Sequence, residues 1–155
     1  MPLRDEIQAI VASLPNQPID FLYGTANEIN VDADSVNNPA LVCLYPLMPI
    51  GIGLGVNGSA HNTFDLYMEF VMITKFENQS DDNEGKINQM IELANRFLVY
   101  MSKYVRQGEV SQYFKFDKGF KAKAMPIYYS KDSNRCGVSL SFSVSTRFDD
   151  YLLPC

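Results

Sequence analysis

The side chains able to do chemistry are few in this chain, and they stand apart from one another. His61 is its one histidine, so a Ser-His-Asp or Cys-His mechanism would have to route its proton through that ring. It lies in Gly58-Ser59-Ala60-His61-Asn62, a turn-like stretch with no nucleophile-elbow context, and reads as a surface loop histidine. Asp32-Ala33-Asp34-Ser35-Val36-Asn37-Asn38 has the acidic start of a calcium loop. It lacks the glycine at the sixth position and the closing bidentate glutamate, so an Asx-turn loop is the plainer reading. Gly51-Ile52-Gly53-Leu54-Gly55 does not fit G-x-G-x-x-G, and no helix follows to present its N-terminus to a phosphate. The pairs Asp81/Asp82 and Asp149/Asp150 suit a helix cap and a solvated turn better than acid–base work. These residues predict no catalytic centre, no metal site and no cofactor.

The elements that surround them are clearer. Residues 2–14 predict a helix, with Asp5 and Glu6 at its positive end and Leu3, Ile7, Ile10, Val11 and Leu14 on one face, closed by Pro15 and Pro18. Residues 20–31 alternate as a strand, and 40–47 are apolar on both faces, as a central strand is. Residues 63–76 form a long strand with Phe64, Leu66, Met68 and Phe70 on one face and Asp65, Tyr67 and Glu69 on the other. Asp81 and Glu84 have capping-box spacing before a helix of about 20 residues, roughly 30 Å long. Its apolar stripe is Ile87, Met90, Ile91, Ala94, Phe97, Leu98, Met101, Tyr104 and Val105. Residues 107–120 read as a short strand and turn, and 120–129 as a strand that Pro126 confines to an edge or bulge. A hairpin turn at 131–134 then leads to Cys136, Val138, Leu140, Phe142 and Val144, which alternate with Gly137 and four serines. The expectation is one domain, 1–155, of α+β class. It is a two-layer α/β sandwich with a mostly antiparallel sheet, order α-β-β-β-α-β-β, one long packed helix and a long glycine-rich hairpin. Its inward residues, Ile91 among them, are uniformly apolar, so the cleft between helix and sheet reads as filled.

Composition narrows the function. The chain has 155 residues, is 46% hydrophobic and carries a net charge of −5, which disfavours a dedicated nucleic-acid binder. Pro46 and Pro49 interrupt the longest apolar run, and no basic start precedes an apolar core at the N-terminus, so neither a membrane span nor a signal peptide is expected. The three cysteines Cys43, Cys136 and Cys155, odd in number and widely spaced, fit synthesis in a reducing cytosol, with Cys43 and Cys136 in the core. Charge is polarised. Residues 1–76 hold only Arg4 and Lys75 against eight anions, whereas 103–135 are rich in lysine. Lys115, Lys118, Lys121 and Lys123 either meet an acidic surface of an identical subunit head-to-tail or are solvated edge lysines that discourage aggregation. The segment 49–62, with Ile50, Ile52, Leu54 and Val56 among glycines, reads as a hairpin arm or loop with apolar contacts to offer a partner. The alternative is a glycine-kinked strand pair packed on its own core.

Several stretches resemble the tail terminator, tail completion and head–tail joining (neck) proteins of tailed bacteriophages. They are Phe21 to Asn30, Leu44-Tyr-Pro-Leu-Met-Pro49, the polar link Glu77 to Asn83 before the long helix, Met125-Pro-Ile-Tyr-Tyr129, and Gly137 to Phe142. The resemblance is one of pattern and element order along nearly the whole chain, in a family that has no catalytic signature. It implies a non-enzymatic structural virion protein, assembled in the host bacterial cytoplasm. Such a protein forms a homo-oligomeric, hexameric ring that caps the tail tube and joins head to tail. Its partners are further copies of itself, other neck or connector proteins and tail-tube proteins, with DNA passing through unbound and no membrane involved. Contacts between subunits or rings are expected at Ile50, Ile52, Leu54, Val56, Asn57 and His61, at Asp81 and Asp82, and at Lys115, Lys118, Lys121 and Lys123. Asp32, Asp34 and Asp65 are expected to line the lumen, where like charge lets DNA slide. Two other readings stay open. One is a small-ligand domain or enzyme, which needs convergent polar groups in a pocket. The other is an adaptor that binds a partner by sheet-edge or loop contacts.

Overall fold

The computed structural model describes residues 3–15, 19–24, 39–44, 49–54, 60–73, 80–106, 108, 112–130 and 135–148. Among them are two helices and seven strands, an α+β arrangement: α1 (Leu3–Ser13), β1 (Asp20–Gly24), β2 (Ala40–Leu44), β3 (Gly51–Leu54), β4 (Ala60–Ile73), α2 (Ser80–Lys103), β5 (Phe114–Lys115), β6 (Lys123–Ser130) and β7 (Arg135–Phe148). Seven strands are two more than the expected order counted: β3 lies in the glycine-rich segment read as a hairpin arm, β5 lies within 107–120, read as a short strand and turn, and β4 begins three residues earlier than expected.

The sheet is built on β4 and β7. They pair antiparallel along their whole lengths, from Ala60↔Phe148 to Ile73↔Arg135. Each flanking edge is shared by two shorter strands. On β4, β3 covers Ala60–Thr63 and β2 covers Met68–Val71, with β1 beyond β2. On β7, β5 covers Ser145 and Thr146 and β6 covers the N-terminal half. The sheet is mixed, because β1 and β2 run parallel. Parallel neighbours need a crossover of about a dozen residues or more, and 25–39 supply that length. Pro126 sits on β6, whose one strand partner among the described residues is β7, and the pairing slips between Ile127 and Ser130. An edge strand tolerates the missing N–H there.

The core follows from the alternation. Phe64, Leu66, Met68 and Phe70 of β4 and Val138, Leu140, Phe142 and Val144 of β7 are buried in one cluster. They share it with Leu3, Ile7, Ile10 and Val11 of α1 and Met90, Leu93, Ala94, Phe97 and Met101 of α2. Phe70 and Phe97 meet ring to ring at 5.5 Å. Two expectations for α2 fail. Leu93, not Ile91, faces the core, and Ile91 and Val105 are exposed. At 100° per residue, Ile91 lies about 80° round the helix from the mean direction of Met90, Ala94 and Met101. The helix also begins at Ser80, which leaves Asp81 inside the first turn and not at the cap.

β2 is apolar on both faces because both are buried. Leu41 and Cys43 join the main core, while Ala40 and Val42 form a smaller cluster with Val71 on the opposite face, flanked by Leu22 and Ile127. Gly137 lies opposite Val71, and a Cβ there would sit 1.8 Å from the Phe70 carbonyl oxygen. The glycine in the serine strand is therefore a packing requirement: β4 and β7 approach too closely at that point for any side chain.

Candidate functional site

The first candidate surface is β3. Ile50, Ile52 and Leu54 are 63%, 76% and 83% exposed. Ile52 pairs with Asn62 and Leu54 with Ala60, so by alternation they lie on the sheet face that carries Phe64 and Leu66 further along β4. The helix-covered face of the sheet thus continues past the end of its cover. Gly51 and Gly53 occupy the other face. Val56 and Asn57 lie outside the described residues. His61, expected in a turn, is instead a half-buried residue of β4 paired with Gly53.

The second surface is the sheet face turned away from the helices. Asp65 accepts a hydrogen bond from the Ser143 hydroxyl, Thr63 and Ser145 pair their hydroxyls at 3.2 Å, and Tyr67 donates to Glu69 at 2.8 Å. Burial, then the Glu69 hydrogen bond and charge, raises the Tyr67 phenol. One strand further on, the serines of β7 form a column. Beyond it Lys115 stands opposite Ser145 and Lys123 opposite Ser141. Acidic β4 and basic β5 and β6 therefore flank a hydroxyl strip, about 10 Å apart at two strand spacings. Asp65 is exposed on this face; Asp32 and Asp34 lie outside the described residues. So do the side chains of Asp81 and Asp82, whose backbone forms the first turn of α2.

The third surface corrects the expectation of a filled cleft. The space between α2 and the middle of the sheet is packed, but on the β6 side a groove of about 500 Å³ stays open. Asn95, Leu98, Val99 and Ser102 of α2 form one wall, Phe116, Phe120, Ala122 and Ala124 the other, and Leu140 belongs to its lining. Phe120 meets the Phe116 and Phe142 rings edge to face, and Phe116 stacks on Phe142 beneath it. Phe120 is placed by a turn in which its N–H donates to Asp117, at 3.0 Å, with Gly119 at φ 78°. Lys118 lies in that turn and Lys121 follows it, both exposed.

One site the sequence reading missed is internal. Glu6, assigned to the positive end of α1, is fully buried. Its carboxylate accepts from Arg106 Nε at 2.8 Å and from the Tyr104 hydroxyl. The Arg106 guanidinium also lies 4.4 Å from the centre of the Tyr113 ring, and Tyr113 donates its N–H to the Tyr104 carbonyl. Burial, then the hydrogen bond and charge of Glu6, pushes the Tyr104 phenol up to about 12. The cluster ties α1 to the segment between α2 and β5. The only sequence signal for it is a glutamate on the apolar face, one position from Ile7 and four from Ile10.

Among the described residues no three His, Cys, Asp or Glu side chains converge to hold a metal ion. Burial pushes the Cys43 thiol up to about 12. No described helix is long and apolar enough to cross a membrane. No protein-family model, curated protein or solved structure matches this chain.

Proposed function

We propose that this chain is a non-enzymatic structural subunit that assembles with copies of itself into a ring. The ring is of the kind formed by tail terminator and neck proteins of tailed bacteriophages, capping a tail tube and joining it to the head. The observation that carries the reading is the uncovered apolar row Ile50, Ile52 and Leu54, which extends the core face of the sheet beyond the protomer's own helices. Isolated exposed aliphatics are ordinary, but Ile52 and Leu54 on one face of an edge strand, with Ile50 just before it, mark a contact surface or an aggregation hazard. The row sits on the β4 edge, while the lysine-bearing β5 and β6 lie on the β7 edge. Unlike surfaces on opposite edges favour heterologous contact, which closes into a ring when the rotation permits.

Magnitudes favour a ring over a pair. Burying three such side chains contributes roughly 4–9 kcal/mol, within the roughly 4–15 kcal/mol that association costs. One contact therefore holds two copies weakly. A closed ring gives every subunit two contacts, and the segregated charges of β4 and β5–β6 add to each. The resemblance supplies the hexameric count, the glycine-rich hairpin as the contact element and the virion location. Asp65, with Asp32 and Asp34, supplies the acidic lumen. Negative-stain electron microscopy of the purified chain should show closed rings with a central opening. Open fibres, or single protomers at every concentration, would count against the reading.

A second reading is favoured by β6, which presents exposed Met125 and Tyr128 on an edge strand. There the chain is an adaptor that captures an extended partner along that edge.

A further inference from the structure

The sheet ends in two strands that match each other. Among the described residues β1 pairs only with β2 and β6 only with β7, and they stand at opposite edges. The registers put them at one height. Phe21, Leu41, Phe70, Val138 and Pro126 form a single row across five strands, as do Leu22, Val42, Glu69, Ser139 and Met125. β1 has five residues, and the regular part of β6, Lys123 to Ile127, has the same length. β1 runs in the direction of β7 and β6 runs against it, so the two edges are antiparallel.

Faces and backbone groups agree as well. Phe21 and Tyr23 lie on the helix side, as do Ala124 and Pro126 by register, whereas Leu22 and Met125 lie on the outer face. Pro126 has no N–H, so its pair with Val138 is of the kind without hydrogen bonds, and the backbone groups of Ala124 and Pro126 turn away from β7. Asp20 donates its N–H to Pro39 on the β2 side, which by alternation turns the N–H and C=O of Phe21 to the far edge.

We propose that β1 of one copy pairs antiparallel with β6 of the next, Phe21 beside Pro126 and Tyr23 beside Ala124, so that one sheet runs through the assembly. The inference rests on the self-association reading above and supplies its strand contact. Any extended chain can add to an edge. A second copy is selected because its free edge matches in length, direction and height, so one operation satisfies both edges of every subunit. Any stagger shortens the overlap. The Phe21 N–H donates to the Pro126 carbonyl, and the missing proline donor guards the edge against indiscriminate pairing. Asp20 and Lys123, the only charged residues of the two strands, fall at opposite ends, so no like charges meet. At its other end the sheet is one strand narrower, which leaves β3 of one copy about 10 Å, two strand spacings, from β5 of the next. The aliphatic row and the strand pair then share one seam.

Leu22 and Met125 would face each other with Cα atoms about 4.5 Å apart, within disulfide range. In one chain they are four strand spacings, about 19 Å, apart, so a disulfide between them joins two copies. The test mixes a chain carrying Leu22→Cys with one carrying Met125→Cys, both with Cys155→Ser, under mild oxidation; Cys43 and Cys136 are buried. Non-reducing electrophoresis should show a linked pair in the mixture and about tenfold less in either chain alone. Circular dichroism and light scattering of the reduced chains establish folding and association. No linked pair between chains that associate overturns this inference and leaves the self-association reading standing. A Met125→Cys chain that links mainly to itself also overturns it, since β6 edges then meet each other. Chains that stay single at every concentration remove both readings and leave the β6 edge to another partner. Pro126→Ala needs no cysteine and gives a second readout. It supplies a donor to the Phe21 carbonyl and should lower the concentration at which the mass rises by about fivefold. An unchanged or higher concentration contradicts the pairing.

Discussion

At the scale of single residues, Glu6 and Gly137 govern most. Glu6 is buried but Arg106 is about a quarter exposed and keeps part of its hydration, so Glu6→Ala should destabilise by less than the roughly 3–5 kcal/mol of a fully buried pair, about 2 kcal/mol or more, read as a lower urea midpoint. Tyr104 gives that cluster a pH signature. Its folded pKa of about 12 lies above the value of about 10 for an unfolded tyrosine. The fold thus favours the neutral phenol. That stabilisation is complete below about pH 10 and lost as pH rises toward 12. The urea midpoint of the wild type should accordingly converge on that of Tyr104→Phe between pH 10 and 12, and a constant offset would contradict the assignment. Gly137→Ala forces a methyl against the Phe70 carbonyl and should cost about 3 kcal/mol or more. Neither residue was legible in the sequence. A glutamate in a first turn satisfies the helix dipole equally well in solvent, and a glycine among serines looks like one more small outward residue. Only the pairing of β7 with β4, and the packing of α1 on the end of α2, give them their roles.

Elements were read more securely where apolar periodicity was long. The alternation in β7 and the near-continuous apolar run of β2 identified their faces, and both helices fell within a few residues of their observed bounds. What escaped was short or set by pairing. β5 has two residues, too few to fix its bounds within the short strand and turn read at 107–120, and the parallel partnership of β1 with β2 is a property of topology that no local pattern carries. Ile91 was assigned to the wrong face because it extends the stripe by one position, and helix faces are resolved only to about that angle. The β7 faces can be tested as a pair. Phe142→Ala should lose about 3–5 kcal/mol, while Ser141→Ala should stay within about 0.5 kcal/mol. Equal losses in equilibrium unfolding would mean that both faces are packed.

At the scale of the whole molecule, the account turns on surfaces that one protomer leaves unfinished: the row on β3, the charge columns of the outer face and the groove beside α2. The sequence pointed to the first through glycine-spaced aliphatics and to the second through its charge asymmetry. It did not reveal the groove, which exists because β6 and the turn at 117–120 stand off from α2. If acidic residues line a ring lumen, reversing Asp32, Asp34 and Asp65 to lysine should convert a chain that does not retain duplex DNA into one that does, seen by gel retardation at low salt. An unchanged mobility would place these residues elsewhere. The most direct measurement is the native mass by multi-angle light scattering over a concentration series, for the wild type and for Ile52→Asp with Leu54→Asp. Both side chains are exposed in the protomer, so the variant should keep the wild-type circular dichroism. The account predicts a discrete multi-subunit mass for the wild type that falls to one protomer in the variant. Equal masses for the two at every concentration would contradict it.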